Sequence, residues 1–165
     1  MSLLVRKIRK SRWYRNHDWL TEVDIQADSL GDLSTKYNKL SVWFIEESKS
    51  NLEHIIAALA ANCDTLSNFD YALFSDDILA RESIKVEKSQ GSSKDSDAND
   101  RWHRDICELS ATKLLSIAQH ISKEGKIDRI QEREVVKHIS KAVQTGRIKL
   151  ETLKPGIQSK ILINP

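Results

Sequence analysis

Long apolar runs are missing from this chain of 165 residues. The longest, Ile55 to Ala61, has seven residues, far short of the ~20 that cross a bilayer as a helix. The opening MSLLVRKIRKS puts its charges after its apolar residues, with no apolar core behind them, so it does not read as a secretory signal. The expectation is a cytoplasmic protein that makes no membrane contact.

Cysteine is scarce too. Cys63 and Cys107 are the only two, too few for a disulfide framework. Each falls in an apolar helical pattern, where a free thiol packs as a small hydrophobe. Two reduced thiols are the preferred reading, with a single bridge between them as the alternative. Glycine numbers five, none spaced to cradle a phosphate. GxSxG, CxxC and HExxH are all lacking, so the common hydrolase, redox and zinc signatures have no footing. No catalytic residue is assigned, and neither a metal nor a cofactor is expected.

What is present is a segregation of charge. The net formal charge is only +2, yet residues 1–20 carry +5, residues 21–100 carry −9 and residues 101–165 carry +6. The chain is basic at both ends and acidic in the middle, which bears on partners more than the overall pI does.

Patterning divides the chain into three stretches. Residues 1–87 mix strand and helix. In SLLVRKIRK, Leu4, Arg6 and Ile8 would share one face of a strand and Leu3, Val5 and Lys7 the other. LSVWFIEE (40–47) is apolar on both faces and predicts a central strand. Leu52, Ile55, Ile56, Leu59 and Cys63 have helical spacing, and FDYALFS (69–75) alternates as a further strand. This strand–helix–strand succession leaves room for a partly parallel sheet. Residues 88–101, KSQGSSKDSDANDR, contain no large apolar residue and read as a flexible linker or long loop. Residues 102–165 read as a helical hairpin and tail. One helix runs through Ile106, Leu109, Leu114, Ile117, Ala118 and Ile121 to Gly125, and a second through Ile130, Val135, Val136, Ile139 and Val143 to Gly146. Pro155–Gly156 predicts a turn. The expected fold class is α+β: a small mixed sheet with one or two helices, then a C-terminal α-helical hairpin. The stretch ISKEGKIDRIQEREVVKHI (121–139) resembles the helix-turn-helix junction of tellurite-resistance TerB-like domains in its Gly125, Ile127 and Glu134 spacing. The resemblance covers those residues alone and implies no function.

Three groups of residues invite chemistry. VRKIRKSRWYRNHDW (5–19) packs six basic and three aromatic side chains beside one acid. Lys and Arg neutralise phosphates and aromatics stack on unpaired bases, so Arg6, Arg9, Lys10, Arg12, Trp13 and Arg15 form a candidate nucleic-acid surface. A strand sends neighbours to opposite faces, and the competing reading is a basic solvent face whose Trp13 and Trp19 cover the core. His103 and Cys107 stand four apart on the expected helix, with His120 and His138 farther on. Two such ligands fall short of the three or four that zinc needs. A nuclease site, dispersed and acidic, could combine Asp24, Glu46 or Asp77 with Lys49 in space.

The helical hairpin is the most coherent design, because two amphipathic helices bury too little surface to stand alone. Ile117, Ile121, Val135, Ile139 and Val143 are therefore the candidate partner-binding residues. The leading expectation is a non-catalytic interaction module docking through that hairpin onto a protein partner or a second copy. A nucleic-acid binder using residues 6–15 with Lys137, Lys141, Arg147 and Lys149 is the alternative, and an enzyme with a dispersed acidic site is the third class.

Overall fold

The computed structural model describes residues 2–14, 18–21 and 24–163. Six strands are formed: β1 (Leu3–Lys7), β2 (Leu40–Ile45), β3 (Phe69–Ser75), β4 (Lys85–Lys88), β5 (His103–Cys107) and β6 (Lys126–Ile130). The helices are α1 (Ala27–Leu30), α2 (Leu52–Ala60), α3 (Asp77–Arg81), α4 (Ser96–Trp102), α5 (Ala111–Glu124), α6 (Glu132–Gln144) and α7 (Pro155–Ile163). The class is α+β. One sheet has the order β4-β5-β2-β1-β3-β6, and every pairing in it is antiparallel. A mixed sheet is not formed: β1 and β2 pair directly, and β3 returns antiparallel on the other side of β1.

Helices cover both faces. The run Val42–Trp43–Phe44–Ile45 lies inside the sheet, with Val42 in one core and Trp43 and Ile45 in the other. Val5, Trp43, Ile45, Tyr71 and Leu73 pack with α2, α4, α6 and α7 through Ile55, Trp102, Val135, Ile139 and Ile157. On the opposite face Leu4, Val42, Ala72, Phe74 and Ile106 pack with α3 and α5 through Ile78, Ile117 and Ile121. Each face of the sheet thus supplies what an amphipathic helix must bury against.

The C-terminal helices are present, with a different connection from a hairpin. Strand β6 runs between α5 and α6 and pairs with β3 over five positions, so the two helices lie against opposite faces of the sheet. Ile127 and Ile130 fit a helical period, but five residues of edge strand satisfy their backbone by pairing instead. The resemblance over 121–139 ends here for the same reason. β5 also replaces the start of the expected first helix: HRDIC pairs with β2 and β4 at four positions each.

Strands β5 and β6, from residues 102–165, lie in the same sheet as the four strands that precede them in the chain. Residues 88–101 are ordered around α4. Asp95 caps that helix, its Oδ1 accepting from the Ala98 N–H at 3.0 Å, while its Oδ2 takes the Arg147 guanidinium at 2.9 Å. Pro155 sits in the first turn of α7, where its missing N–H costs nothing, so the expected turn is a helix start. Among the described residues no helix is long and apolar enough to cross a membrane.

Candidate functional site

The candidate nucleic-acid residues are mostly committed to the fold. Arg6 is half-buried, and its guanidinium donates to the Asp32 carbonyl at 3.1 Å and the Ser41 carbonyl at 2.7 Å. Asp32 then gathers the next turn of chain. Its carboxylate accepts from the Arg9 N–H at 2.8 Å, Arg12 Nη1 at 2.9 Å and the Trp13 indole at 2.9 Å. Trp13 is buried. Of the set, the Arg9 side chain is exposed and that of Lys10 half-exposed, and Arg15 lies outside the described residues. The basic opening is a rim docked on Asp32; Trp13 covers the core as the competing reading of that stretch expects, whereas Trp19 is 69% exposed and does not.

The partner-binding residues differ more sharply. Ile117 and Ile121 are sealed under α5 in one core, and Val135 and Ile139 under α6 in the other; Val143 is half-buried against the second. These four isoleucines and valines form no common surface, because the sheet stands between their helices. Among the hairpin bases, Arg147 is bound to Asp95, Lys137 to Glu134 and Lys141 to Glu53. His103 and Cys107 sit on a strand, not a helix, and no group of three or more metal-ligating side chains occurs among the described residues.

What the fold does assemble is a polar cleft at the β4–β5–β2 end of the sheet. A hollow of about 300 Å³ is lined by Lys36, Tyr37, Lys39, Ser41, His103 and Asp105, among others. A second hollow, lined by Lys88, Ser89, Gln90 and Asp100, adjoins it through Gln90. His103, only 7% exposed, forms part of the floor. Its Nδ1 lies 2.8 Å from the Ser89 hydroxyl and 3.3 Å from the Ser89 carbonyl oxygen. A carbonyl can only accept, which favours the tautomer carrying its proton on Nδ1 and leaves the Nε2 lone pair for a ligand. Trp43 meets the ring edge-on at 5.1 Å. Burial pushes the imidazole pKa down, against the opposing pull of Asp105, which favours the neutral ring.

Asparagine and glycine shape the cleft wall. Asn99 is buried; its Oδ1 accepts from the Ser93 N–H at 3.0 Å and its Nδ2 donates to the Ser93 carbonyl at 2.9 Å. A Cβ on Gly91 would come within 2.6 Å of Asn99 Oδ1 and 3.2 Å of His103 Cβ. Only glycine lets this loop lie against α4 and His103.

Tyr37 overhangs the cleft. It stands in a tight turn closed by the Lys36–Lys39 bridge, with φ of 54° at Tyr37 and 57° at Asn38. Two-residue turns of this hand usually employ Asn-Gly, and a bulky residue there is uncommon. The turn is pinned from outside by the Leu109 N–H, which donates to the Asn38 carbonyl at 3.1 Å. Tyr37 is 86% exposed.

A larger hollow of about 520 Å³ lies between α6 and α7. Its charged walls are already paired, Lys160 with Glu132 and Lys137 with Glu134, and it contains no aromatic or titratable group left to act. The acids Asp24, Glu46 and Asp77 do not share a cavity with Lys49 among the hollows described. Tyr37, Ser89, Gly91, Asn99 and Asp105 escaped the sequence reading. The one signal available was Tyr-Asn between two lysines, at a place where a hairpin turn normally has Asn-Gly.

No protein-family model, curated protein or solved structure matches this chain.

Proposed function

We propose that this chain is a non-catalytic protein-interaction module that meets its partner with the Tyr37 turn and the His103 cleft, not with the apolar faces of its C-terminal helices. The observation that carries the reading is Tyr37 itself. Left-handed backbone costs a residue with a Cβ roughly 1–2 kcal/mol, and here that strain holds a large ring in water. Strain that persists because the surroundings enforce it is a mark of functional sites. Tyrosine is among the residues most enriched at binding hot spots, flanked by contacts that exclude water. The turn is fixed on both sides, so the ring is presented ready for contact and little ordering is left to be done on binding.

The nucleic-acid reading loses support because Arg6, Arg12 and Trp13 serve the fold, and the dispersed-acid reading because its acids are scattered. The same proposal assigns the chain to the cytoplasm, where Cys63 and Cys107, both free thiols, stay reduced. The test is quantitative capture with the tagged full-length chain from its own cells, comparing wild type, Tyr37→Ala and the control Tyr14→Ala. Loss of one captured protein in Tyr37→Ala alone, with an unchanged melting temperature, is the expected result. Equal capture by Tyr37→Ala overturns the reading. Light scattering on the purified chain shows whether the partner is a second copy, by a mass above 18.9 kDa.

A further inference from the structure

The cleft beneath Tyr37 has a floor of acceptors. Asp105 takes only the Ser41 hydroxyl, at 3.3 Å, and no described Lys or Arg forms an ion pair with it. His103 lines the same cleft, and its Nε2 has no partner among the described residues. The lysines at the rim are turned elsewhere: Lys39 reaches Glu87 at 3.6 Å, and Lys36 Nζ lies 5.6 Å from the centroid of the Tyr37 ring. The second contact shows the ring face already accepting a cation from its own neighbour. Aromatic face, carboxylate and imidazole lone pair together describe a receptor for a donor-rich cation.

We propose that the cleft takes an arginine side chain presented by a protein partner, its guanidinium displacing Lys36 from the Tyr37 ring and donating to the Asp105 carboxylate and to His103 Nε2. The inference rests on the docking role proposed for Tyr37 and names the chemistry it recognises. Guanidinium is preferred to ammonium because its planar fork can stack on an aromatic face while its separate N–H groups reach two acceptors. Lysine offers one compact charge and cannot do both as well.

The probes are the blocked tripeptides Gly-Arg-Gly, Gly-Lys-Gly and Gly-Glu-Gly and a short oligothymidylate, titrated into the isotope-labelled full-length chain while ring signals of His103 and Tyr37 are followed. The arginine peptide should give saturable millimolar shifts, the lysine peptide weaker ones, and the other two none. Asp105→Asn preserves side-chain shape and the acceptor for Ser41; it should weaken arginine binding about tenfold, the equivalent of ~1.4 kcal/mol. No saturable response to the arginine peptide overturns the inference, as does equal binding by Asp105→Asn or tighter binding of the glutamate peptide or oligonucleotide. Capture experiments separate the two claims. A partner lost in Tyr37→Ala but retained by Asp105→Asn overturns the arginine assignment and leaves the docking surface standing. A partner retained by Tyr37→Ala overturns the docking surface itself.

Discussion

The Trp13 indole N–H donates to Asp32 Oδ2 at 2.9 Å, and this bond turns the most basic stretch of the chain into a structural joint. The same carboxylate holds the Arg9 backbone and the Arg12 guanidinium. Removing it leaves a buried indole N–H and a half-buried guanidinium without their acceptor. Asp32→Ala should cost about 3 kcal/mol in urea unfolding. A cost below about 1 kcal/mol would show that the joint is not needed.

The apolar faces of α5 and α6 give the second prediction. Ile117 and Ile139 are wholly buried in separate cores, so Ile117→Ala and Ile139→Ala should each destabilise by about 2–5 kcal/mol. Sheltered by different faces of the sheet, the two losses should add within about 0.5 kcal/mol. Partner capture by the fraction that stays folded should be unaffected.

Gly91→Ala tests the cleft wall. Its new methyl would meet Asn99 Oδ1 at 2.6 Å, and the loop must withdraw from His103. A loss of about 1–3 kcal/mol follows from such overpacking, visible as a lower melting temperature with loss of the partner in parallel.

Tyr37→Asn should raise stability by about 0.5–1 kcal/mol, because asparagine tolerates left-handed backbone better than tyrosine. The same substitution should abolish docking. A variant more stable than wild type yet inactive in capture is hard to explain by any structural role for the ring.

The pH dependence of stability has a definite sign. His54 and His103 both have imidazole pKa values lowered by burial, so between the two values the unfolded chain binds more protons than the folded one. Stability is full above the ordinary histidine value near 6.5 and falls as pH drops through the folded values. His103→Gln should make the curve shallower over that window, which calorimetry from pH 7.5 down to about 5 reads directly. An unchanged slope would contradict the burial argument.

Much of the fold was legible in the sequence. Strands β1, β2 and β3 and helix α2 declare themselves because their periods are strong, and the two-faced apolar run at Val42–Ile45 marked an interior strand. Strands β5 and β6 did not, since His103, Asp105, Lys126, Asp128 and Arg129 are polar and their pairing is decided by distant neighbours. Their isoleucines fit a helical period equally well. The apparent linker hid α4 for a similar reason: Asp95 and Asn99 are buried polar groups whose partners, Arg147 and Ser93, cannot be named from local composition. The cleft depends on that same segment, which is why its residues were missed.

Photo-cross-linking from position 37 tests the central claim most directly. A photoreactive phenylalanine analogue replaces Tyr37 in one full-length chain, and in two others Leu115 on α5 or Arg133 on α6, with each chain irradiated in its own cells. The account predicts one discrete protein adduct from position 37 and none from the helices. Adducts from α5 or α6 with none at position 37 would contradict it.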